Sequence, residues 1–149
     1  MRVIDIMTEK PRACRADESV EKALDHMDEC NCGAVPVVDD DDRVVGIVTD
    51  RDIVFGVRKN GGTVEDLTVE ACMTADPVKL KQDTTAEEAV RTMGSNRVRR
   101  APVVDAKGRL VGMVAQADIA ANVGDDRLVA HYLREISTAP SVEPAPERR

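Results

Sequence analysis

Aromatic residues are almost missing from this chain: one Tyr, one Phe and no Trp in 149 residues. No base can be held in an aromatic cage here, and the core must be built from Val, Ile, Leu, Met and Ala. Basic charge is in short supply too. Lys and Arg total 21 against 28 Asp and Glu, a formal net charge of −7. Non-specific nucleic-acid binding and adsorption to anionic membranes both need a basic surface, so neither is expected. No apolar run reaches the roughly 18 residues of a membrane span. The opening "MRVIDIMTEKPR" has no long apolar stretch of the signal-peptide kind, which points to the cytoplasm. Only two histidines occur, His26 and His131, both apart in sequence from Cys14, Cys30, Cys32 and Cys72. "CNC" lacks the C-x-x-C spacing of zinc and redox sites. The cysteines therefore read as reduced, buried or half-buried thiols, and no metal is expected. No P-loop and no Ser/His/Asp set appears, so catalysis is not expected either.

What the chain does have is a repeat. A shift of 66 residues aligns 6–54 with 72–120 without a gap and gives 17 identities in 49 pairs. Met7-Thr8 meets Met73-Thr74, "PVVD" at 36–39 meets "PVVD" at 102–105, Gly46 meets Gly112, and Asp52-Ile53 meets Asp118-Ile119. Each copy reads as β-α-β-β-α. Short extended segments cover 12–14 and 78–80. Helices over 19–30 and 85–96 are marked by Val20, Ala23, Leu24 and Met27, and by Ala86, Ala89, Val90 and Met93. Thr85 and Glu88 form a capping-box pattern. Two β-rich runs follow, 34–38 with 43–48 and 100–104 with 109–114, joined by hairpin-length gaps. Final helices start near 50 and 116.

A three-stranded unit cannot stand alone, but two copies can bury their sheets against each other. The fold class is therefore α+β: two units packed as a pseudo-twofold pair with facing sheets, plus a C-terminal helix over 125–136. The expected boundaries are 1–60, 61–124 and 125–149. Residues 56–70 form the linker, broken at Asn60-Gly61-Gly62, and the tail from Ser137 reads as disordered.

"DIMT" at 5–8, "GAVPVVD" at 33–39 and "GIVTDRDIV" at 46–54, with their second copies "ACMT", "RRAPVVD" and "GMVAQADIA", resemble a tandem pair of cystathionine-β-synthase (CBS) domains standing alone. The likeness spans about 3–121. It implies a regulatory module that binds an adenosine compound (AMP, ADP, ATP or an S-adenosyl ligand, AMP or ATP first), with no cofactor. It also implies a disc-like homodimer, or control of a target protein. The helix faces carrying Leu24, Met27, Val90 and Met93 suit such a dimer and serve an internal core equally.

Thr49 and Asp52 sit where a strand turns into a helix. Thr-x-x-Asp is a capping pattern, and capping alone would account for both. The same helix start offers amides and partial positive charge to a phosphate, and Asp52 can accept from ribose hydroxyls. In the second copy the carboxylate remains as Asp118, but Ala115 has lost the hydroxyl. The resemblance implies clefts that draw on both copies. Thr49 and Asp52 would face Val78, Lys79, Leu80, Arg99 and Arg100, with Arg51 a lesser candidate. Asp118 would face Ala13, Cys14, Gly33 and Ala34. Val35, Val78, Leu80 and Ala101 would wall the base. On that pattern the Asp52 cleft is the better armed. The alternative function is a non-nucleotide stress or redox-linked interaction module with empty clefts, with Cys14 as a thiol switch near Cys30 and Cys32.

Overall fold

The computed structural model describes residues 1–138. The disordered tail expected beyond Ser137 lies almost wholly outside the described residues. In chain order the elements are α1 (Val3–Ile6), β1 (Thr8–Glu9), β2 (Cys14–Arg15), α2 (Val20–Cys30), β3 (Ala34–Val38), β4 (Val44–Thr49), α3 (Asp50–Lys59), α4 (Val69–Cys72), β5 (Thr74–Ala75), β6 (Leu80–Lys81), α5 (Ala86–Ser95), β7 (Arg100–Val104), β8 (Leu110–Ala115), α6 (Gln116–Asn122) and α7 (Asp126–Ser137). Both copies of β-α-β-β-α are present, and α7 follows as expected. Ser19 and Thr85 cap α2 and α5 by accepting from the amides of Glu21 and Glu88.

Each sheet has four strands, where three were expected. The orders are β2-β3-β4-β5 and β1-β8-β7-β6. The fourth strand comes from the other copy: β1 pairs antiparallel with β8, and β5 with β4. The short helices travel with them. Val3 and Ile6 of α1 enter the second copy's core, and Val69 of α4 enters the first. Glycine permits the exchange. A Cβ at Gly112 would collide with Met7 and stand 3.0 Å from the Thr8 carbonyl oxygen, and one at Gly46 would press on Met73 and the Thr74 carbonyl oxygen.

The expected linker is shorter in fact, because α3 runs on to Lys59 and α4 begins at Val69. Gly56 sits within α3 where Cys72 of α4 lies against it, so this glycine serves helix packing. Gly61 and Gly62 do turn the chain, with φ of 73° and 87°.

Val20, Ala23, Met27, Val35, Val37, Val48 and Ile53 fill the first core. The second is larger because α7 adds Tyr132 and Ile136 over Val90 and Met93. Three of the four helix-face residues suited to a dimer are thus buried within the chain, and Leu24 stays 37% exposed. The sheets meet at a small seam of Val38, Val44 and Val104, with Ala13 and Leu110 against it. Here the hairpin loops of the two copies join across the pseudo-twofold axis. The Val44 amide donates to the Gly108 carbonyl at 3.2 Å, and the Leu110 amide to that of Asp42 at 2.9 Å.

Candidate functional site

The "PVVD" aspartates are taken up by the fold. Asp39 Oδ1 accepts from the amides of Asp41 and Arg43, both at 2.9 Å, and Asp105 Oδ1 from those of Lys107 and Arg109 at 2.8 and 3.0 Å. These amide bonds hold both carboxyls below their ordinary range. They fix the hairpin turns and are spent on them.

The strand-to-helix junctions differ between copies. In the first, the Asp52 amide donates to Thr49 Oγ1 and the Thr49 amide to Asp52 Oδ2, each at 3.0 Å. This is a closed capping box. Beside it, the Asp50 amide donates to the Gly33 carbonyl at 3.0 Å, and Ala34 pairs with Thr49 across the hairpin. The Asp50 carboxylate stands where a Cβ on Gly33 would meet it at 3.2 Å. Arg51 lies over the Phe55 ring, 5.6 Å from its centroid. Asp50 and Asp52 thus bring two carboxylates to this junction, and Arg51 is turned along the helix toward Phe55.

In the second, the Ala115 amide donates to Asp118 Oδ2 at 2.8 Å, and no hydroxyl completes the box. Arg100 pairs with Ala115, and the Gln116 amide donates to the Arg99 carbonyl at 2.8 Å. A cleft of about 310 Å³ opens here, lined by Arg99, Arg100, Ala115, Gln116, Ala117 and Ala120. That is near the lower end for small-molecule sites, about 300–1,000 Å³. Its three alanines replace Thr49, Arg51 and Val54 of the first copy. The lost hydroxyl is one of three truncations that clear the space.

This cleft is built within the second copy: Arg99 and Arg100 stand with Ala115 and Gln116 of their own unit, and Thr49 and Asp52 are not among its lining residues. The cause is hairpin register: β7 runs antiparallel to β8, so the residue before "PVVD" must sit beside the start of its own helix. Gly33 and Ala34 likewise lie beside Thr49 and Asp50 of their own unit. Both arginines, whose guanidinium forks match phosphate oxygens, thus stand at the second copy's strand-to-helix junction.

The aliphatic walls also move. Val35 and Cys14 are in the first core, Leu80 and Ala101 in the second, each at most 3% exposed, so these side chains offer a base no surface. Val78 is half-buried, and Lys79 pairs with Asp76 at 3.6 Å. Gln116, Ala117 and Ala120 were missed, although aligning 115–120 with 49–54 would have exposed them.

The thiol reading is corrected as well. Cys30 and Cys32 are paired with each other. Cys14 is fully buried, and burial, then Glu18, pushes its thiol up to about 11. Burial, then Asp52, also raises Cys72.

A duplicated β-α-β-β-α unit with exchanged edge strands defines a tandem-repeat α+β module, with an arginine-lined cleft at one strand-to-helix turn. The CBS domain model matches residues 3–59 and 64–125, and the chain belongs to the CBS domain family. Inosine-5'-monophosphate dehydrogenase of Methanocaldococcus jannaschii is 38% identical over 117 residues, 77% of this chain but only 21% of that enzyme, so the chain spans about a fifth of that relative's length. Hypoxic response protein 1 of Mycobacterium tuberculosis is 33% identical over 130 residues, 84% of this chain and 87% of that protein. Two solved structures carry adenosine ligands. CBSX2 in complex with AMP is 26% identical, with TM-score 0.69 over 80% of this chain and 94% of that one. The CBS domain pair of protein MJ0100, with 5'-methylthioadenosine and S-adenosyl-L-methionine, is 27% identical, with TM-score 0.73 over 83% and 96%. Among the described residues no cluster of His, Cys, Asp or Glu could hold a metal ion, and no helix is long and apolar enough to cross a membrane.

Proposed function

We propose that the chain is a regulatory module that binds an adenosine nucleotide in the cleft of the second copy. The ribose and base lie along the alanine floor, and Arg99 and Arg100 take the phosphates. The observation that carries this is the juxtaposition of two exposed arginines with a cavity cleared by Ala115, Ala117 and Ala120. The adenosine ligands of CBSX2 and MJ0100 supply the ligand class. Binding would alter packing between the copies, or pairing with a second chain or a target protein, to the extent that the ligand prefers one of those states. The first copy's acidic junction repels phosphate and stays the weaker site. Because the arginines carry the discrimination, ATP and ADP bind more tightly than AMP. Calorimetric titration with AMP, ADP, ATP and S-adenosylmethionine tests this. Arg100→Ala should weaken ATP by about 10-fold or more, the weight of a charge-assisted hydrogen bond. It should weaken S-adenosylmethionine little. No heat from any of the four ligands sinks the assignment.

A further inference from the structure

The helix α7 has no counterpart in the first copy. It lies along α5, where Gly94 leaves room for Glu135 and Tyr132 to approach. Tyr132 is the chain's only tyrosine and is 1% exposed. Its hydroxyl donates to the Val98 carbonyl at 2.9 Å, a link spanning 34 residues. Val98 immediately precedes the arginine pair. On the other side, the Arg99 carbonyl accepts from the Gln116 amide at 2.8 Å. Arg97, just before Val98, sits at φ 54°, as its counterpart Asn31 does at φ 51°, so α5 and α2 both end on a left-handed residue. Beyond it the segment is held at two successive carbonyls, Val98 by α7 and Arg99 by α6. The equivalent stretch of the first copy has the α6-type bond, from the Asp50 amide to the Gly33 carbonyl, and among the described residues no helix corresponding to α7 follows that copy.

We infer that Tyr132 is a positioning residue that sets Arg99 and Arg100 at the cleft mouth, and that through it ligand binding is coupled to α7. The inference rests on the nucleotide reading of that cleft. The hydroxyl suits this role, because burial pushes Tyr132 up to about 12, against the pull of Arg99 and Arg100, so it remains a donor at every physiological pH. A backbone shift of Arg99 and Arg100 toward a phosphate carries the Val98 carbonyl with it and so changes the bond from Tyr132. By linkage, whatever α7 contributes to ligand affinity the ligand returns as tighter docking of α7.

The chain without Trp makes the test direct, since its emission near 300 nm comes from Tyr132 alone. Inorganic pyrophosphate, which does not absorb there, is titrated into the wild-type protein while emission is followed, with calorimetry reporting binding in parallel. Emission should change with the same midpoint as the heat. ATP affinity is then compared in Tyr132→Phe, which keeps the ring, and in Ile136→Val, which trims another apolar anchor of α7 without touching Val98. Tyr132→Phe should weaken ATP by about two- to tenfold, the weight of one hydrogen bond. Ile136→Val should lower Tm and leave affinity within twofold. Constant emission while pyrophosphate binds overturns the coupling, whether or not Tyr132→Phe folds. Equal weakening by both variants also overturns it, since it would then reflect packing alone. If wild-type protein binds neither probe, the cleft assignment itself fails, and that outcome is distinct from the other two.

Discussion

At the scale of single residues, the two junctions hold opposite solutions to one constraint. A helix start needs partners for its free amides, and a ligand needs space and charge. Thr49 and Asp52 satisfy the first need by capping each other's amides. Ala115 leaves one cap unmade and opens the cleft. Ala115→Thr should therefore move stability and binding in opposite directions. Restoring the cap adds about 1 kcal/mol in urea denaturation. The added bulk, at about 1 kcal/mol or more of crowding, weakens ATP by about fivefold or more in calorimetry. A variant that gains stability and binds ATP as well as wild type would show that the alanines are not what clears the pocket. The sequence made the asymmetry between Thr49 and Ala115 legible, but not its sense. The hydroxyl looked like a ligand group because its cap partner, Asp52, is also a plausible ribose acceptor. What the residue types alone do not show is that Arg100 lies opposite Ala115, which hairpin register dictates.

At the scale of elements, the helices and the hairpins were legible because each carries a full period of burial. The expected runs at 19–30, 34–38 and 85–96 match α2, β3 and α5 to within a residue. The exchanged strands β1 and β5 were not. Two residues each, with exposed side chains, they show no alternation. Their trace in the sequence is indirect, in the repeated Gly46 and Gly112, whose missing Cβ atoms admit a neighbouring backbone. Gly112→Ala should push β1 off β8 and cost about 1–3 kcal/mol. Gly124→Ala, where nothing lies within 4 Å, should cost nothing measurable. Urea titrations of the two variants decide this. A Gly112→Ala protein as stable as Gly124→Ala would mean that β1 contributes nothing to the second sheet.

At the scale of the whole molecule, the exchange makes the units interdependent. Each core contains a helix delivered by the other copy, Val3 and Ile6 in one direction and Val69 in the other, and the hairpins bond across the seam. Neither unit can unfold without taking a strand from its partner's sheet, so unfolding should be a single transition. Three groups with raised values bear on this: Cys14, Cys72, raised by burial and then Asp52, and Tyr132. Cys14, in the first core, is pushed up to about 11 from an ordinary 9.0, and Tyr132, in the second, up to about 12 from 10.0. Each holds its proton in the folded state at a pH where the unfolded chain releases it. Their contribution is complete below pH 9 and is lost as pH rises toward 11, so stability falls with alkali. Between pH 8 and 9 the term is mainly that of the cysteines, Cys14 foremost, because unfolded tyrosine, with an ordinary value of 10.0, has barely begun to ionise. The urea midpoint read by Tyr132 emission should therefore fall across that window, although the ionising group lies in the other unit. Cys14→Ala should flatten the fall. If the Tyr132 midpoint ignores both the alkaline shift and the Cys14 substitution while unfolding of the first unit responds to them, the halves unfold separately and the exchanged strands do not bind them into one cooperative body.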